Sequence, residues 1–412
     1  MRPFGVEHVR AIAAGVAIVL ATAGAAFYVV GDRGTSGLEP TSQPSLPRSS
    51  QPVPGIAVLR QTADSWPAAS GYRSYSDLIV GLALAGEAAR QPGRSLVYFS
   101  GTDVNTRWNT GVPYPEARRH GWLLKDRSGD LLVNRNYPSN YIGDVGSPAY
   151  QQAWLAGVSR ILRENGDDGI FLDDVLVDLA PLAGAEAAKY PTAQKWADAQ
   201  LSFVRAVGNG LRKKGYYVLV NASAYVPGSP RASNGSSTIA WWRRLAPYVN
   251  GLADEYYQET SNGSDTLRTY GSAWYQAWGG WQRVMETTQA LGKDFFGLTY
   301  GPPDDAHRMS YAKASFLLEW DGDGGAFLYQ PSDRQDPWNG AWTRDVGRPE
   351  GQKRRVGVAW LRPYSGGIVL VNPDPSRSQH LELGHDYMSP SGTPVSQVTL
   401  APTTGLILPS AR

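Results

Sequence analysis

The sequence predicts an α/β fold: a (β/α)8 TIM barrel followed by a small C-terminal antiparallel β domain. Three observations carry that expectation. Eight short apolar runs bounded by Gly, Pro, Asn or Asp recur between residues 55 and 330. Segments of helical period lie between them. After Gly351 the helical segments stop, and strand-like stretches alternate with Gly, Pro and Asp turns. Continuous apolar strands joined through helices imply a parallel sheet covered by helices, and eight such units fit a barrel. The structural rival, a doubly wound open sheet, usually brings a glycine-rich phosphate loop. "GDGGAF" (Gly322 to Phe327) lacks the third glycine and follows a helix, and "GKD" at Gly292 is no Walker motif.

At the amino terminus, Ala11 to Val30 is an uncharged run preceded by Arg2 and Arg10, long enough at helical rise to cross a bilayer. Residues 1–30 therefore read as a signal anchor or a signal peptide. The small residues Ala21 to Ala26 favour cleavage, and the length of the run with Phe27 to Val30 favours retention. Either way the remainder is expected outside the cytoplasm, secreted or membrane-anchored. Residues 31–54 are rich in Pro and Ser, cannot bury a core and read as an extended linker. Residues 55–346 read as the catalytic barrel and 347–412 as the β domain.

The eight runs are 55–61, 95–101, 140–146, 169–175, 216–223, 251–258, 294–301 and 324–330. Among the helices, Trp154, Val158, Ile161 and Leu162 share one face before "ENG", and Trp196, Phe203, Val207 and Leu211 share another before "KKG". Trp274, Trp278 and Trp281 have the spacing of a helix face packed on the barrel, or of a platform for a sugar ring.

Composition narrows the chemistry. A formal charge of +2 on 412 residues, without a basic block, argues against a nucleic-acid partner. No cysteine means no disulfide, thiolate nucleophile or cysteine-bound zinc, and the five histidines show no metal-binding spacing. Neither a metal nor another cofactor is expected. No G-x-S-x-G elbow points to a serine hydrolase. Aromatic residues reach 11%, with 14 Trp and 22 Tyr, side chains that suit flat amphipathic ligands such as sugars as well as ordinary cores.

In a barrel the active face is built at the C-terminal ends of the strands, so the polar residue closing each run is a candidate. These are Arg60, Asp144, Asp173 with Asp174, Asn221, Asp254 with Glu255, Tyr300 and Tyr329. The run "GIFLDDV" drives apolar residues into two adjacent carboxylates, which need solvent or a partner. Alternation puts Phe171 with Asp173 and Leu172 with Asp174, so one acid should face the barrel axis. Acids on two different strands of one mouth are what glycoside hydrolysis requires, one as nucleophile or base and one as proton donor. The pair expected here is Asp173 as the carboxylate and Glu255 as the acid. Asp174, Asp144, Asn221, Arg60, Tyr300, Tyr329 and Trp108 are the expected substrate contacts. Trp108 and Tyr114 lie in a Gly/Pro-rich loop that should line the mouth. Asp174 and Asp254 could instead cap the turns that follow them, and Asp144 the helix after it.

The run "DDGIFLDDV", with "WLLKDRSGDLLV" and "YIGDVGSPAYQQAW" before it and "DEYYQE" after it, resembles glycoside hydrolases of barrel fold. It is similar to an uncharacterised hypothetical glycosyl hydrolase group and to the related polygalactosaminidase (spherulin-like) family. The resemblance implies a retaining barrel enzyme with its aspartate at Asp173 and its glutamate at Glu255, and "RPYSGGIVLVNP" (Arg362 to Pro373) resembles the C-terminal β-domain of such hydrolases. Asp174 departs from the amide or similar residue common after that aspartate in the polygalactosaminidases. The expected function is an extracytoplasmic glycoside hydrolase acting on a polysaccharide or oligosaccharide. The alternative is an inactive barrel that binds glycans at the cell surface, which should have lost one acid.

Overall fold

The computed structural model describes residues 52–66, 74–222, 236–259, 266–270, 277–331 and 335–411. The apolar run at 11–30, nearly all of the expected linker and Trp274 lie outside the described residues. No described helix is long and apolar enough to cross a membrane.

In chain order, β1 (Val53–Arg60) and β2 (Tyr75–Val80) lead through α1 (Ala85–Ala88) to β3 (Arg94–Ser100). A hairpin of β4 (Asp103–Asn105) and β5 (Asn140–Ile142), with α2 (Tyr114–Arg119) between them, precedes α3 (Pro148–Asn165) and β6 (Gly169–Asp173). Then α4 (Ala180–Ala183) and α5 (Ala193–Lys213) lead to β7 (Tyr217–Asn221), and α6 (Ser236–Leu245) to β8 (Gly251–Asp254). Next, α7 (Trp278–Ala290) leads to β9 (Asp294–Tyr300), α8 (Ala306–Glu319) to β10 (Ala326–Gln330), and α9 (Gly340–Thr343) follows.

Eight strands close into a parallel barrel in the order β1-β10-β9-β8-β7-β6-β3-β2, sealed where Ile56 meets Phe327. Seven of the eight expected runs contribute a barrel strand. The run at 140–146 does not: its first residues pair antiparallel with β4, outside the ring. Its place is taken by β2, whose short apolar part, Leu78-Ile79-Val80, is flanked by the polar Tyr75-Ser76-Asp77 and is not among the expected runs. In addition, β1 begins at Val53, inside the stretch read as linker.

The barrel axis is filled by alternate strand residues, among them Leu59, Ile79, Leu96, Phe171, Leu219, Phe296 and Leu328, while the intervening positions face the helices. Helix α3 starts with Pro148 at its first position and stops at Gly166, which is left-handed at φ 80°. It buries Trp154, Val158 and Leu162 on one face, as their spacing predicts. Helix α5 is capped by the Thr192 hydroxyl, which accepts from the Lys195 amide, and buries Trp196, Phe203, Val207 and Leu211. Trp278 and Trp281 are buried on α7 and serve the core.

The chain ends in β11 (Arg354–Val356), β12 (Ala359–Tyr364), β13 (Gly367–Asn372), β14 (Gln379–Met388), β15 (Pro394–Leu400) and β16 (Thr404–Pro409). These form an antiparallel sheet in the order β11-β12-β13-β16 and a separate β14–β15 ladder. The sheet packs on α8. Arg362 Nη1 donates to the carbonyls of Leu317, Leu318 and Trp320, and the Tyr364 hydroxyl to that of Leu317 at 2.6 Å, so the carbonyls ending α8 are satisfied from the sheet. Gly405 permits the approach: a Cβ there would lie 2.7 Å from Tyr311 Cα.

Candidate active site

Five neighbouring strands of the ring, β3, β6, β7, β8 and β9, deliver one polar side chain each to a common point at the C-terminal mouth. Asp173 closes β6 on the same side as Phe171, as alternation requires, and Phe171 stacks on Tyr98 of β3 with ring centroids 5.9 Å apart. Its carboxylate accepts three hydrogen bonds. Tyr98 Oη donates to Oδ2 at 2.7 Å, Asn221 Nδ2 to Oδ1 at 2.7 Å, and the Asp174 amide to Oδ1 at 2.9 Å. Glu255, just past β8, receives the Tyr300 hydroxyl on Oε1 at 2.6 Å and Asn221 Nδ2 on Oε2 at 3.2 Å. One amide nitrogen thus touches both acids, 2.7 Å from one oxygen and 3.2 Å from the other, so those oxygens lie no farther apart than the two distances together, 5.9 Å.

The surroundings push the two acids differently. Burial raises Asp173, and the hydrogen bonds from Tyr98, Asn221 and the Asp174 amide pull it back. Burial and then the charge of Asp173 push Glu255 up to about 7, against the pull of Tyr300 and Asn221. A carboxyl that keeps its proton near neutrality beside one whose ionised form is triply hydrogen-bonded is the division of labour that acid-assisted displacement needs.

Two further carboxyls crowd the same place. Asp174 leaves the strand in a left-handed conformation, φ 59°, which aspartate tolerates better than most residues. That turn directs its amide back onto Asp173 and its carboxylate toward Ser100 Oγ, 3.5 Å away, so both acids reach the mouth although strand alternation offered room for one. Burial, then Asp173, Asp103 and Glu255, hold Asp174 well above the ordinary carboxylate range. Asp103, buried on β4, is pushed up to about 6 by burial, against donors from Asn140 and Asn134. Behind the site, Glu259 holds the Tyr300 amide at 2.8 Å and pairs with Arg308 at 3.1 Å, fixing the strand that presents the Tyr300 hydroxyl. Asp254 accepts the Tyr256 amide at 3.0 Å and so caps the turn that carries Glu255.

Of the other expected contacts, Asp144, Arg60 and Tyr329 point away from the acids. Asp144 sits outside the barrel and is held by Lys189 and Tyr190, each at 2.5 Å, while Ser147 begins the helix. Arg60 is buried on the outer side of β1, where it donates to the carbonyls of Ser65 and Gln335. Tyr329 faces the helical layer against Trp342, and its hydroxyl donates to Pro302 O at 2.9 Å. Trp108 is 59% exposed on the inserted hairpin, and Tyr114 packs on Tyr141. Sequence reasoning missed Tyr98 and Asp103. Alternation back from the end of β3 would have found Tyr98, two residues inside the run, and Asp103 is the first acid past that strand. Among the described residues no group of three or more His, Cys, Asp or Glu is arranged to hold a metal.

Residues 99–368, well over half the chain and including every member of the acid cluster, match the model of Hypothetical glycosyl hydrolase family 15. The chain belongs to this family of glycosyl hydrolases. No curated protein matches its sequence. Among solved structures it is similar to the glycoside hydrolase domain of PelA from Pseudomonas aeruginosa, at 15% identity and TM-score 0.45 over 69% of this chain and 97% of that one. Ega3 of Aspergillus fumigatus, solved in complex with galactosamine, matches at 12% identity and TM-score 0.41 over 69% and 94%. An alpha-amylase from Malbranchea cinnamomea matches at 9% identity and TM-score 0.48 over 86% and 96%. The tail of the family match, Ile368, lies on β13, so it runs past the barrel into the C-terminal sheet.

Proposed function

We propose that this chain hydrolyses a glycosidic bond in a polysaccharide or oligosaccharide with retention at the anomeric carbon. Asp173 is the nucleophile and Glu255 the acid and base. The observation that supports this reading is the amide of Asn221 shared between the two carboxylates. The bridged oxygens lie within 5.9 Å of each other, a closeness that accommodates a retaining pair, whose carboxyls stand about 5–5.5 Å apart, and the retaining outcome is the one the NMR test below reads.

In the first step an Asp173 oxygen bonds to the anomeric carbon as the glycosidic C–O bond breaks, and the Glu255 proton passes to the departing oxygen. In the second, Glu255 takes a proton from water as that water bonds to the anomeric carbon, and the ester bond to Asp173 breaks. Asn221 and Tyr300 hold the two carboxyls in position, and the Asp174 carboxyl meets a sugar hydroxyl. On the reading of residues 11–30 as an export signal or anchor, the barrel works outside the cytoplasm, tethered to the membrane if the segment is retained.

The test is a panel of oligosaccharides and polysaccharides given to the purified full chain, to Asp173→Asn and to Glu255→Gln, with the anomer of the first-formed product read by NMR. The wild type should release product with retained configuration, and each variant should lose at least about a hundredfold in rate. Equal activity in all three proteins rejects the pair, and an inverted first product rejects the double displacement.

A further inference from the structure

The hairpin of β4 and β5 is an insertion between two neighbouring barrel strands, and the turn before β5 carries the half-exposed ring of Tyr137. Tyr137 is 45% exposed, one of four large apolar side chains left open among the described residues. Its hydroxyl has no hydrogen-bond partner among them. The ring is half open to solvent and lies within the field of the acid cluster, so it offers a flat amphipathic face to whatever occupies the cleft.

The backbone around it is held firmly. The Tyr137 amide donates to Asn134 O at 3.1 Å, the Asn140 amide to Tyr137 O at 2.8 Å, and the Asn136 amide to Asn134 Oδ1 at 3.0 Å. Both ends of this turn are clamped to one buried carboxylate oxygen: Asn134 Nδ2 and Asn140 Nδ2 reach Asp103 Oδ2 at 3.0 and 2.6 Å. The Asp103 amide in turn donates to Ser100 Oγ at 3.0 Å, the hydroxyl that faces Asp174. A short run of hydrogen bonds therefore ties the Tyr137 turn to the rim that carries the acids. Partial burial, and then the charges of Asp174, Asp173, Glu255 and Asp103, push the phenol up to about 12, so it remains a neutral donor at any working pH.

We infer that Tyr137 is a specificity-determining residue: its ring forms one wall of the cleft and packs on a sugar unit adjoining the bond that is cleaved. This rests on the hydrolase reading above. A flat amphipathic ring on a pre-ordered turn gives contact area at small entropic cost, and Asp103 acts as the positioning residue that keeps the turn in place.

The experiment uses the full chain, the oligosaccharide of the panel that the wild type cleaves fastest, and the variants Tyr137→Ala, Tyr137→Leu, Tyr137→Phe and Tyr137→Trp. Loss of the ring should raise KM about tenfold while kcat stays within about threefold, since the contact is made equally in ground and transition states. Phe and Trp, which keep a ring, should hold KM within about threefold of wild type. If Ala compromises folding, the ratio of Leu to Trp reads the same quantity. The inference is overturned if the wild type cleaves the substrate and the variants without a ring keep its KM, or if Phe and Trp fare no better than Leu. A wild type that cleaves no member of the panel removes the hydrolase reading itself, and this inference goes with it.

Discussion

Asn221 bridges the two acids, but the hydroxyls of Tyr98 and Tyr300 each touch only one of them, at 2.7 Å and 2.6 Å, and this makes the pair separable by experiment. A hydrogen bond donated to a carboxylate favours its ionised form. Tyr98→Phe therefore raises the Asp173 carboxyl, the nucleophile in the proposed mechanism, and the acid limb of the pH profile of kcat/KM should move to higher pH. Tyr300→Phe raises Glu255, the proton donor on that proposal, and the basic limb should move up instead. Rates across pH 4 to 9 for the two variants check both signs, and a shift of the same limb in both would contradict the assignment of roles. At this scale Asp173, Asn221, Glu255 and Tyr300 were legible because each closes an apolar run. Tyr98 was not, because it sits inside its run, where a tyrosine reads as core. Arg60 and Tyr329 also close their strands, yet lie on the alternate positions that face the helices. Closing a strand selects a residue's height in the barrel, and parity selects its side.

Helix α8 shows the cost of joining two layers. It is buried against the barrel on one face and against the C-terminal sheet on another, so Lys313 has no route to water. Its ammonium donates to Gly55 O at 2.6 Å on the entering strand, and burial lowers it from 10.5 to about 7. Because the folded value lies below the unfolded one, the unfolded chain binds the extra proton between pH 7 and 10.5, and stability must rise with pH across that window. Lys313→Met removes the titration. The stability difference between variant and wild type, followed by urea unfolding, should favour the variant most at pH 7 and shrink steadily toward pH 10; a difference independent of pH would show that the amine does not titrate in this window. No periodicity betrays such a lysine, since in sequence it stands among Tyr311, Ala312, Ala314 and Phe316 as an ordinary solvated member of a helix. The hairpin escaped for a related reason: β4 is three residues long, shorter than any window in which alternation can be recognised, so the run at 140–146 that pairs with it reads as a barrel strand.

Over the whole molecule, the barrel separates its chemistry from its foundations. Eight parallel strands were legible as a number and an architecture because each must be apolar throughout to be covered on both faces, although one of the eight was misplaced. What the pattern could not reveal is the second polar cluster, at the opposite, N-terminal end of the barrel. There Arg94 at the start of β3 pairs with Asp77 of β2 at 2.5 Å and lies over the Tyr217 ring of β7, its guanidinium carbon 3.7 Å from the centroid, with Asp294 of β9 also at 3.7 Å. Asp77 is buried, and burial raises its carboxyl in spite of Arg94, so the pair is costly to separate. Arg94→Met should cost about 3 kcal/mol of unfolding free energy by leaving that carboxylate unpaired. The double variant Arg94→Met with Asp77→Asn should recover part of the loss, since the buried charge at Asp77 is gone and only the partly exposed Asp294 has lost its cation. Neither should change KM or the pH limbs set by Asp173 and Glu255, because nothing in the cluster reaches the mouth. Denaturant unfolding and steady-state kinetics on the same preparations check the two halves together. A double variant no more stable than the single one would show that Arg94 acts by packing on Tyr217, and a shifted KM would show that the two ends of the barrel are mechanically linked.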